Sequence, residues 1–371
     1  MQKSITILYN NDSSGVYSSL PVWHEDELFT QRHILHSQLA EQGIELSLVR
    51  ITFPDATKPA QILRATHPVF HEDGLLDIAK TSFEPFVLSD IRGVIIDRIG
   101  LERLKQHNVT LPDSELPVLN HYSIQQLGHK QKTYDNLLAP FGWGIPTFDL
   151  QKLDPADMPD ELISAAGGIF VKPAEGRLSL GITYFETYQS FENHFASLGE
   201  KLTGDYVVQP EYFFGHPWPE VLPFSPDDSE KLLHSNVPNI HKELRVYCFY
   251  DADANQKAQC FPIGRVAVEG EDFMYGCDRF FIDPSSCPPQ LKKTTTAIAD
   301  TAAQITDQRA FFIAVDFGYG GPSPTSPPAW EVIEVNTYSP YIGFMSQHDG
   351  IGEAIQALQT EHLVHLTKIN S

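Results

Sequence analysis

Residues 330–340 have the sequence Trp-Glu-Val-Ile-Glu-Val-Asn-Thr-Tyr-Ser-Pro, and residues 314–317, a short way upstream, are Ala-Val-Asp-Phe. Side chains at positions i and i+2 of a strand point to the same face, so Glu334 and Asn336 are expected side by side. The β-branched residues around them favour a half-buried strand. With Asp316 arriving from a neighbouring strand, these oxygens form the kind of site that Mg²⁺ prefers. The alternative is that Glu334 and Asn336 are only the solvated face of an edge strand.

The composition places bounds on the class of protein. The chain has 371 residues, of which 42% are hydrophobic and 20% are charged, as is ordinary for a globular protein of two or three folding units. The formal net charge of −22 argues against nucleic acid or an anionic membrane as the main partner, because both attract cationic surfaces. A phosphate ligand is still compatible with this charge, since local lysines and helix ends can outweigh a distant negative field.

Cysteine and histidine spacing gives no sign of a zinc site. The four cysteines lack Cys-x-x-Cys spacing, so we expect neither a zinc knuckle nor a disulfide framework, only ordinary buried residues. The fifteen histidines are scattered, and none lies in a His-Glu-x-x-His motif. No run of the sequence reaches the roughly 18 apolar residues of a membrane span, and the N-terminus does not resemble a signal peptide. These features predict a cytoplasmic protein.

The hydrophobic pattern of residues 1–120 is that of an α/β unit. Strands are expected at Ile5–Tyr9, Leu46–Ile51, Val94–Ile96 and 116–120, with a helix over 27–42 that ends at Gly43. Further helices are predicted over 123–139 with Ser123 as N-cap, 160–166, 188–200, 288–308 and 352–369. Further strands are predicted over 168–173, 182–185, 205–213, 244–250, 260–268 and 311–317. Residues 214–241 are too long for an ordinary connection, and we interpret them as a functional insertion or a lid.

Two lysines stand where the sequence favours contact with a phosphate. Lys130 lies in the basic start of the helical stretch 128–138, where a solvated surface lysine is the alternative explanation. Lys172 ends the apolar strand 169–173 and precedes the loop 174–181, whose backbone N–H groups can point at an anion. This segment is not a Walker P-loop, because the lysine comes before the glycines.

Polar residues also gather at two further strands. Gln209, Glu211 and Tyr212 close the strand that begins at 205, and Glu243 and Arg245 share one face of the strand after the insertion. Taken singly, each pattern is also compatible with ordinary polar surface. Their order along the chain is more informative than any one of them.

This order resembles that of the ATP-grasp enzymes, in which two lysines, a polar strand end, an acid-x-Arg strand, an aspartate and a Glu-x-Asn pair follow one another. The resemblance covers residues 120–350 and is most specific at Phe170–Pro173 and Trp330–Pro340. It implies an α/β (α+β) fold in which two α+β subdomains grip ATP and an α/β domain precedes them. The implied domains are 1–120 for that first α/β domain, 121–205 for the central ATP-grasp subdomain, and 206–371 for the C-terminal ATP-grasp subdomain with the metal site.

The resemblance also implies roles for individual residues around ATP. Lys130 and Lys172 would contact the phosphates, and the loop 174–181, with Gly176 and Gly181, would cover them. The hinge that meets adenine would include Glu211 and Tyr212. Because Pro210 separates Gln209 from Glu211, which of these two residues faces the base is left open. The ribose hydroxyls would be held by Glu243.

The remaining implied roles concern catalysis and metal binding. Arg245 and Arg265 would be catalytic and would steady the transferred phosphate or the acyl substrate. Two Mg²⁺ ions, or Mn²⁺ in their place, would be bound by Asp316, Glu334 and Asn336. Phosphoryl transfer requires positioning and charge neutralisation rather than a nucleophilic side chain, and this set supplies both.

The implied activity is that of an ATP-dependent carboxylate–amine ligase, which forms an amide or peptide bond through an acyl phosphate and releases ADP and phosphate. Glutathione-synthetase-like and RimK-like enzymes are similar in the order of their parts. The partners would be a small carboxylate and an amine, such as an amino acid or a peptide, with neither nucleic acid nor membrane, and a homodimer is compatible with the sequence. Substrate choice is expected to lie in residues 10–30, 214–241 and 268–283.

Two other functions are alternatives to the ligase. One is an ATP-grasp small-molecule kinase of the inositol-phosphate type, and the other is a catalytically silent nucleotide-binding scaffold. Glu334 in the middle metal position and the acidic charge favour the ligase over the kinase. The full set of lysines, arginines and metal ligands argues against the scaffold.

Overall fold

A computed structural model of the chain describes residues 4–9, 39–53, 58–69, 80–97, 99, 101–111, 118–175, 181–201, 205–214, 216, 218, 242–267, 277–281, 287–337, 360–365 and 367. The described strands form three sheets, of six, four and five strands. Several predicted segments lie wholly or largely outside the described residues: residues 27–38 of the helix predicted over 27–42, most of the insertion 214–241, residues 268–276, and residues 352–359 of the helix predicted over 352–369. Within the described part of the chain, no helix has the length and apolarity needed to cross a membrane.

The first sheet is built from β1 (Ser4–Tyr9), β2 (Glu45–Thr52), β3 (Gln61–His67), β4 (Ser82–Pro85), β5 (Val94–Asp97) and β6 (Val118–Leu119). Its strand order is β4-β3-β2-β1-β5-β6, and β1 is parallel to both β2 and β5. A short helix at Leu101–Gln106 connects β5 towards β6. The α/β pattern predicted for this part of the chain is therefore observed. Strands β3 and β4 were not predicted, because their half-buried and exposed side chains do not alternate cleanly.

The second sheet contains β7 (Phe148–Asp149), β8 (Ile169–Pro173), β9 (Thr183–Phe185) and β10 (Tyr206–Pro210) in the order β7-β10-β8-β9. All of its pairings are antiparallel. The helix Tyr188–Lys201 covers one face, where Phe191 and Leu198 pack against Val171 and Val208. The other face of β8 carries Lys172, which lies opposite Val207.

The third sheet contains β11 (Lys242–Asp251), β12 (Ala258–Ala267), β13 (Cys277–Phe281), β14 (Ala310–Gly320) and β15 (Ala329–Asn336) in the order β13-β12-β11-β14-β15. All of these strands are antiparallel. Cys248 and Cys260 lie opposite each other on β11 and β12. Both are buried and neither forms a disulfide, and the same is true of Cys287. The prediction of ordinary buried cysteines is confirmed for these three; β13 was not predicted.

The two faces of the third sheet have different neighbours. Even-numbered residues of β11, such as Leu244 and Val246, pack against the helix Pro289–Thr306. Odd-numbered residues, such as Tyr247 and Phe249, share one hydrophobic core with the first sheet. Glu243 and Arg245 lie on this second face, beyond the end of the shared core, so their side chains point into the space next to that core.

The predicted single helix over 123–139 is interrupted in the structure. Helix Tyr122–Gln126 is capped by the side chain of His121, not by Ser123, and a second helix begins at Lys130 and continues into a wider turn at Tyr134–Leu138. The interruption has a tertiary cause, because the Lys130 N–H donates to Ala174 O (2.9 Å) rather than to a carbonyl of its own helix. Similarly, the helix predicted over 160–166 ends at Ile163, where the Ser164 hydroxyl bonds to Asp160 O (2.6 Å).

Candidate functional site

A β-bulge in β15 arranges the acidic residues that the sequence singled out. Asp316 lies opposite Glu334, but the next pair along the ladder is Phe317 with Val332, so Ile333 is an extra residue on β15. Because of the bulge, Val332 stays in the core although it is two residues from Glu334. Glu331, which lies opposite Gly318, then falls on the same face as Glu334. Glu331 was not singled out from the sequence, since strict alternation places it on the opposite face.

The carboxylate of Asp316 is almost fully buried and is held by two neighbours. Arg245 donates to it twice, with Nε to Oδ1 at 2.6 Å and Nη2 to Oδ2 at 2.7 Å. Asn336 donates its amide N–H to Asp316 Oδ2 at 3.1 Å. Burial acts to lower the pKa of the Arg245 guanidinium, but the charge and hydrogen bonds of Asp316 outweigh it and raise that pKa well above its ordinary value. Arg245 therefore stays charged and keeps Asp316 in place.

The end of β15 is fixed by a fully buried asparagine from the segment after β6. The amide nitrogen of Asn120 donates to Phe312 O and to Thr337 O, and its amide oxygen accepts from Phe312 N at 2.7 Å. Gln125 in turn donates to Asn120 O at 2.8 Å. Since Thr337 directly follows Asn336, the bonds made by Asn120 fix the position of the backbone at the end of the Glu-x-Asn pair.

Two lysines from other parts of the chain lie near Glu334. Lys130 Nζ lies 3.7 Å from Glu334 Oε1, and Lys172, on β8, lies where the charges of Glu334, Glu243 and Lys130 all act on it. Burial lowers the pKa of Lys172 to about 8, the attraction of Glu334 and Glu243 opposes this shift, and Lys130 adds to it. The structure thus brings together Lys130, Lys172, Glu243 and Glu334, which are far apart in sequence.

Two polar residues at and just after the end of β10, Gln209 and Glu211, form hydrogen bonds with different neighbours. Gln209 is buried and donates to Thr147 Oγ1 at 2.8 Å. Glu211 Oε2 accepts from Gly168 N and from the Tyr184 hydroxyl, both at 2.8 Å. Burial and this carboxylate raise the pKa of Tyr184 to about 12. Both Gln209 and Glu211 are therefore bonded within the second sheet and its flanking loops.

The residues after Glu211 connect the second sheet to the third. Phe213 makes a short antiparallel bridge with Gly321, and a Cβ on Gly318 would collide with the ring of Phe214. Burial, together with the charges of Glu331, Tyr134 and Glu161, raises the pKa of Tyr212 to about 12. Burial also raises the pKa of Glu331. Tyr212 and Glu331 thus lie close together where the second and third sheets meet.

The other predicted site residues are placed as follows. Glu243 is buried on β11, opposite Gly318 on one side and Arg265 on the other. The Arg265 side chain lies outside the described part of the structure, and so does Gly176. Gly181 has a φ of +75°, which a residue with a side chain rarely adopts, and it approaches Pro173 at the end of β8.

The oxygen atoms around Asp316 suit a hard cation. No three His, Cys, Asp or Glu side chains of the described residues are grouped so as to hold a metal ion. The third oxygen ligand here would be an amide, that of Asn336. The Glu334 carboxylate is 38% exposed, and Asn336, which donates through its nitrogen, keeps its oxygen as an acceptor. Asp316 is the least accessible of the three, since both its oxygens are already bonded. The donor set fits Mg²⁺, with Glu334 as the most accessible ligand.

Comparison with known proteins gives a likeness of structure. No protein-family profile matches the chain, and no curated protein sequence matches it either. D-alanyl-alanine synthetase A from Vibrio cholerae has a TM-score of 0.56 at 16% identity, over 100% of this chain and 99% of that one. The VanG D-Ala:D-Ser ligase from Enterococcus faecalis has a TM-score of 0.56 at 14% identity, over 99% and 100%. The ATP-grasp ligase PsnB has a TM-score of 0.51 at 13% identity, over 99% and 100%.

The chain has the ATP-grasp fold. The mixed α+β architecture inferred from the order of the motifs is therefore confirmed. In this ATP-grasp chain, Lys172 comes from the second sheet and Glu334 and Asp316 from the third. The segment 211–214 runs from the second sheet to its bridge with the third.

Proposed function

We propose that this protein is an ATP-dependent carboxylate–amine ligase that forms an amide or peptide bond through an acyl phosphate. The observation that carries the proposal is that Lys130 and Lys172, from two different parts of the chain, both lie near Glu334. Two ammonium groups facing an acidic, oxygen-rich floor are what a triphosphate with its cation requires. The three structures compared above, whose names describe ligases or synthetases, support the same class.

In the proposed reaction a carboxylate oxygen of the first substrate attacks the γ-phosphorus of ATP, and ADP leaves. The amine nitrogen of the second substrate then attacks the acyl carbon, expels inorganic phosphate and loses a proton. Lys130 and Lys172 neutralise the phosphate oxygens and orient them for in-line attack. Glu334, Asn336 and Asp316 would hold Mg²⁺, which would supply further charge neutralisation when bound.

The structure changes the role that we assign to Arg245. Its guanidinium is bonded to Asp316 through both Nε and Nη2, so we propose that it positions this carboxylate rather than touching the transferred phosphate. The phosphate or acyl contact is then assigned to Arg265. The ribose contact stays with Glu243, and the base contact with the hinge that includes Glu211 and Tyr212. We keep 1–120, 121–205 and 206–371 as the proposed domains.

The test of the activity is a coupled measurement of ADP and inorganic phosphate with Mg-ATP and panels of acids and amines. The panels begin with free amino acids and dipeptides. The expected result is release of ADP and phosphate in equal amounts that depends on the amine. ADP without phosphate, together with a phosphorylated alcohol, would instead identify a kinase. Binding of ATP with no turnover on any pair would identify a scaffold.

Single substitutions test the site itself. Removal of one positive charge that is aimed at the reacting phosphate is expected to lower kcat by roughly 100- to 1,000-fold, so Lys130→Ala and Lys172→Ala should each do so. Glu334→Gln should lower kcat by a similar factor, because it removes the charge of a proposed Mg²⁺ ligand. Lys132→Ala is the matched control, because Lys132 is an exposed lysine of the same helical turn as Lys130. Near-normal rates in Glu334→Gln or Lys172→Ala would refute the site assignment.

A further inference from the structure

A cavity of about 210 Å³, with polar and apolar walls, lies at the other end of β11 from the proposed nucleotide site. It is lined by Asp251 and the β11–β12 turn on one side and, on the other, by Glu361, His362, Val364 and His365 of the C-terminal helix, which the structure describes over 360–365. Asp251 is six residues along β11 from Arg245, so the cavity is about 20 Å from the proposed metal site. None of the residues lining it takes part in the proposed ligase mechanism.

Buried polar atoms in the wall of this cavity have no partner within the described part of the chain. His362 is 6% exposed, and its Nε2 makes no hydrogen bond to any described residue. The same holds for Gln259 Oε1. Such groups are costly to bury unless something bonds to them, and a water or a ligand in the cavity is what can do so.

The charges around the cavity have both signs. Asp251 is 3% exposed, and its Oδ2 lies 2.5 Å from His365 Nε2. Lys257, in the turn between β11 and β12, adds a positive charge, and Glu361 adds a second negative one. The cavity is also larger than a single water needs, since one water takes about 30 Å³ of liquid. Its floor is apolar, because the ring of Phe249 lies against the tilted ring of His362 with centroids 4.8 Å apart.

We propose that this cavity is a binding site for a free α-amino acid, separate from the nucleotide cleft. The ligand's ammonium group bonds to Asp251 and Gln259 Oε1, and its carboxylate faces Lys257 and His365. Its side chain lies over Phe249. A bound amino acid would tie the β11–β12 turn to the C-terminal helix, whose Leu363 and Val364 pack in the core shared by the first and third sheets.

Isothermal titration of the full-length protein with glycine, L-alanine, D-alanine and L-glutamate tests this proposal without requiring turnover. Wild type is expected to bind at least one of these compounds in the absence of ATP. Ala254→Phe places a ring in the cavity from the surface turn, and should weaken that binding at least about tenfold. The matched control is Asn255→Phe, which adds the same bulk at the next residue, an exposed position that does not line the cavity.

Lys257→Glu provides a second variant at an exposed position and should also weaken binding, because it reverses the charge that faces the carboxylate. If Ala254→Phe does not fold, this variant decides the matter. Two results would overturn the proposal. One is that wild type binds none of the four amino acids at millimolar concentration, and the other is that both cavity variants bind as Asn255→Phe does. The second result assigns the binding to another site, such as the substrate site of the ligase, whatever the outcome of the turnover assay.

Discussion

Arg245 and Asp316 lie directly opposite each other on β11 and β14 and form a buried pair joined by two hydrogen bonds, 2.6 and 2.7 Å long. The carboxylate is 2% exposed. A buried charge that has lost its partner is strongly destabilising, so the pair should stabilise the third sheet in addition to its role at the proposed cation site.

Arg245→Met is expected to lower the free energy of unfolding by about 3–5 kcal/mol, because it leaves Asp316 buried and unpaired. Arg245→Lys keeps the charge but not the paired geometry, and should fall between Arg245→Met and wild type. Chemical unfolding followed by circular dichroism measures this difference. Arg309→Met is the control, since it breaks an Arg–Asp pair that is exposed to solvent, and its unfolding midpoint should stay within error of wild type. Equal losses in Arg245→Met and Arg309→Met would contradict the importance given to the buried pair.

The lowered pKa of Lys172, about 8, predicts a pH dependence of nucleotide binding. Above that pH the free protein carries a neutral Lys172, whereas bound phosphate favours the charged form. Binding of Mg-ATP near pH 8 should therefore take up a proton, and the affinity should fall as the pH rises further. Titration calorimetry in buffers of different ionisation enthalpy measures this uptake. Lys172→Arg stays charged and should remove most of it; an unchanged proton uptake in that variant would assign the effect to another group.

Asn120 is expected to connect stability with metal affinity. Asn120→Leu leaves the buried Phe312 N–H and two carbonyls without a partner, at a cost of about 1–3 kcal/mol for each group left unsatisfied. Because Thr337 follows Asn336, the variant should also need more Mg²⁺ for half-maximal activity. Asn136→Ala, which removes an exposed asparagine bonded to Lys132 O, should change neither quantity. Lower stability with an unaltered Mg²⁺ requirement would limit Asn120 to a structural role.

Because His362 is buried, we expect the protein to lose stability in mild acid. Burial lowers its pKa to about 4, while in the unfolded chain it titrates near 6.5. Between these values the unfolded state binds more protons, so the free energy of unfolding should fall as the pH drops from about 6.5 to about 4, by about 3 kcal/mol in total. His362→Phe retains a ring against Phe249 and should flatten this part of the curve. A slope that persists in His362→Phe would show that other groups cause it.

Much of the candidate site could be predicted from the sequence because its residues lie on strands. The period of two in β15 placed Glu334 and Asn336 together, and the antiparallel register of β14 and β15 puts Asp316 beside them. The order of the motifs led to the fold without any relative of similar sequence. In these places local pattern and tertiary structure agree.

What the sequence did not reveal depends on contacts between distant segments. Glu331 was missed because a single inserted residue, Ile333, changes the face on which it lies. The break before Lys130 follows from a bond to Ala174, 44 positions away in the chain, which no helical periodicity contains. The role of Arg245 likewise depended on the register of β11 with β14, because a strand pattern gives the face of a residue but not its cross-strand partner.

The core shared by the first and third sheets has a mechanical consequence. Residues of β1, β2 and β5 pack in the same cluster as Tyr247 and Phe249, and Asn120 joins the segment after β6 to Phe312 on β14. These two sheets should therefore move as one rigid body. A change in the distance between Lys172 and the proposed metal ligands would then come from the second sheet, which would rotate about the segments on either side of it while Asp316, Glu334 and Asn336 stay in place.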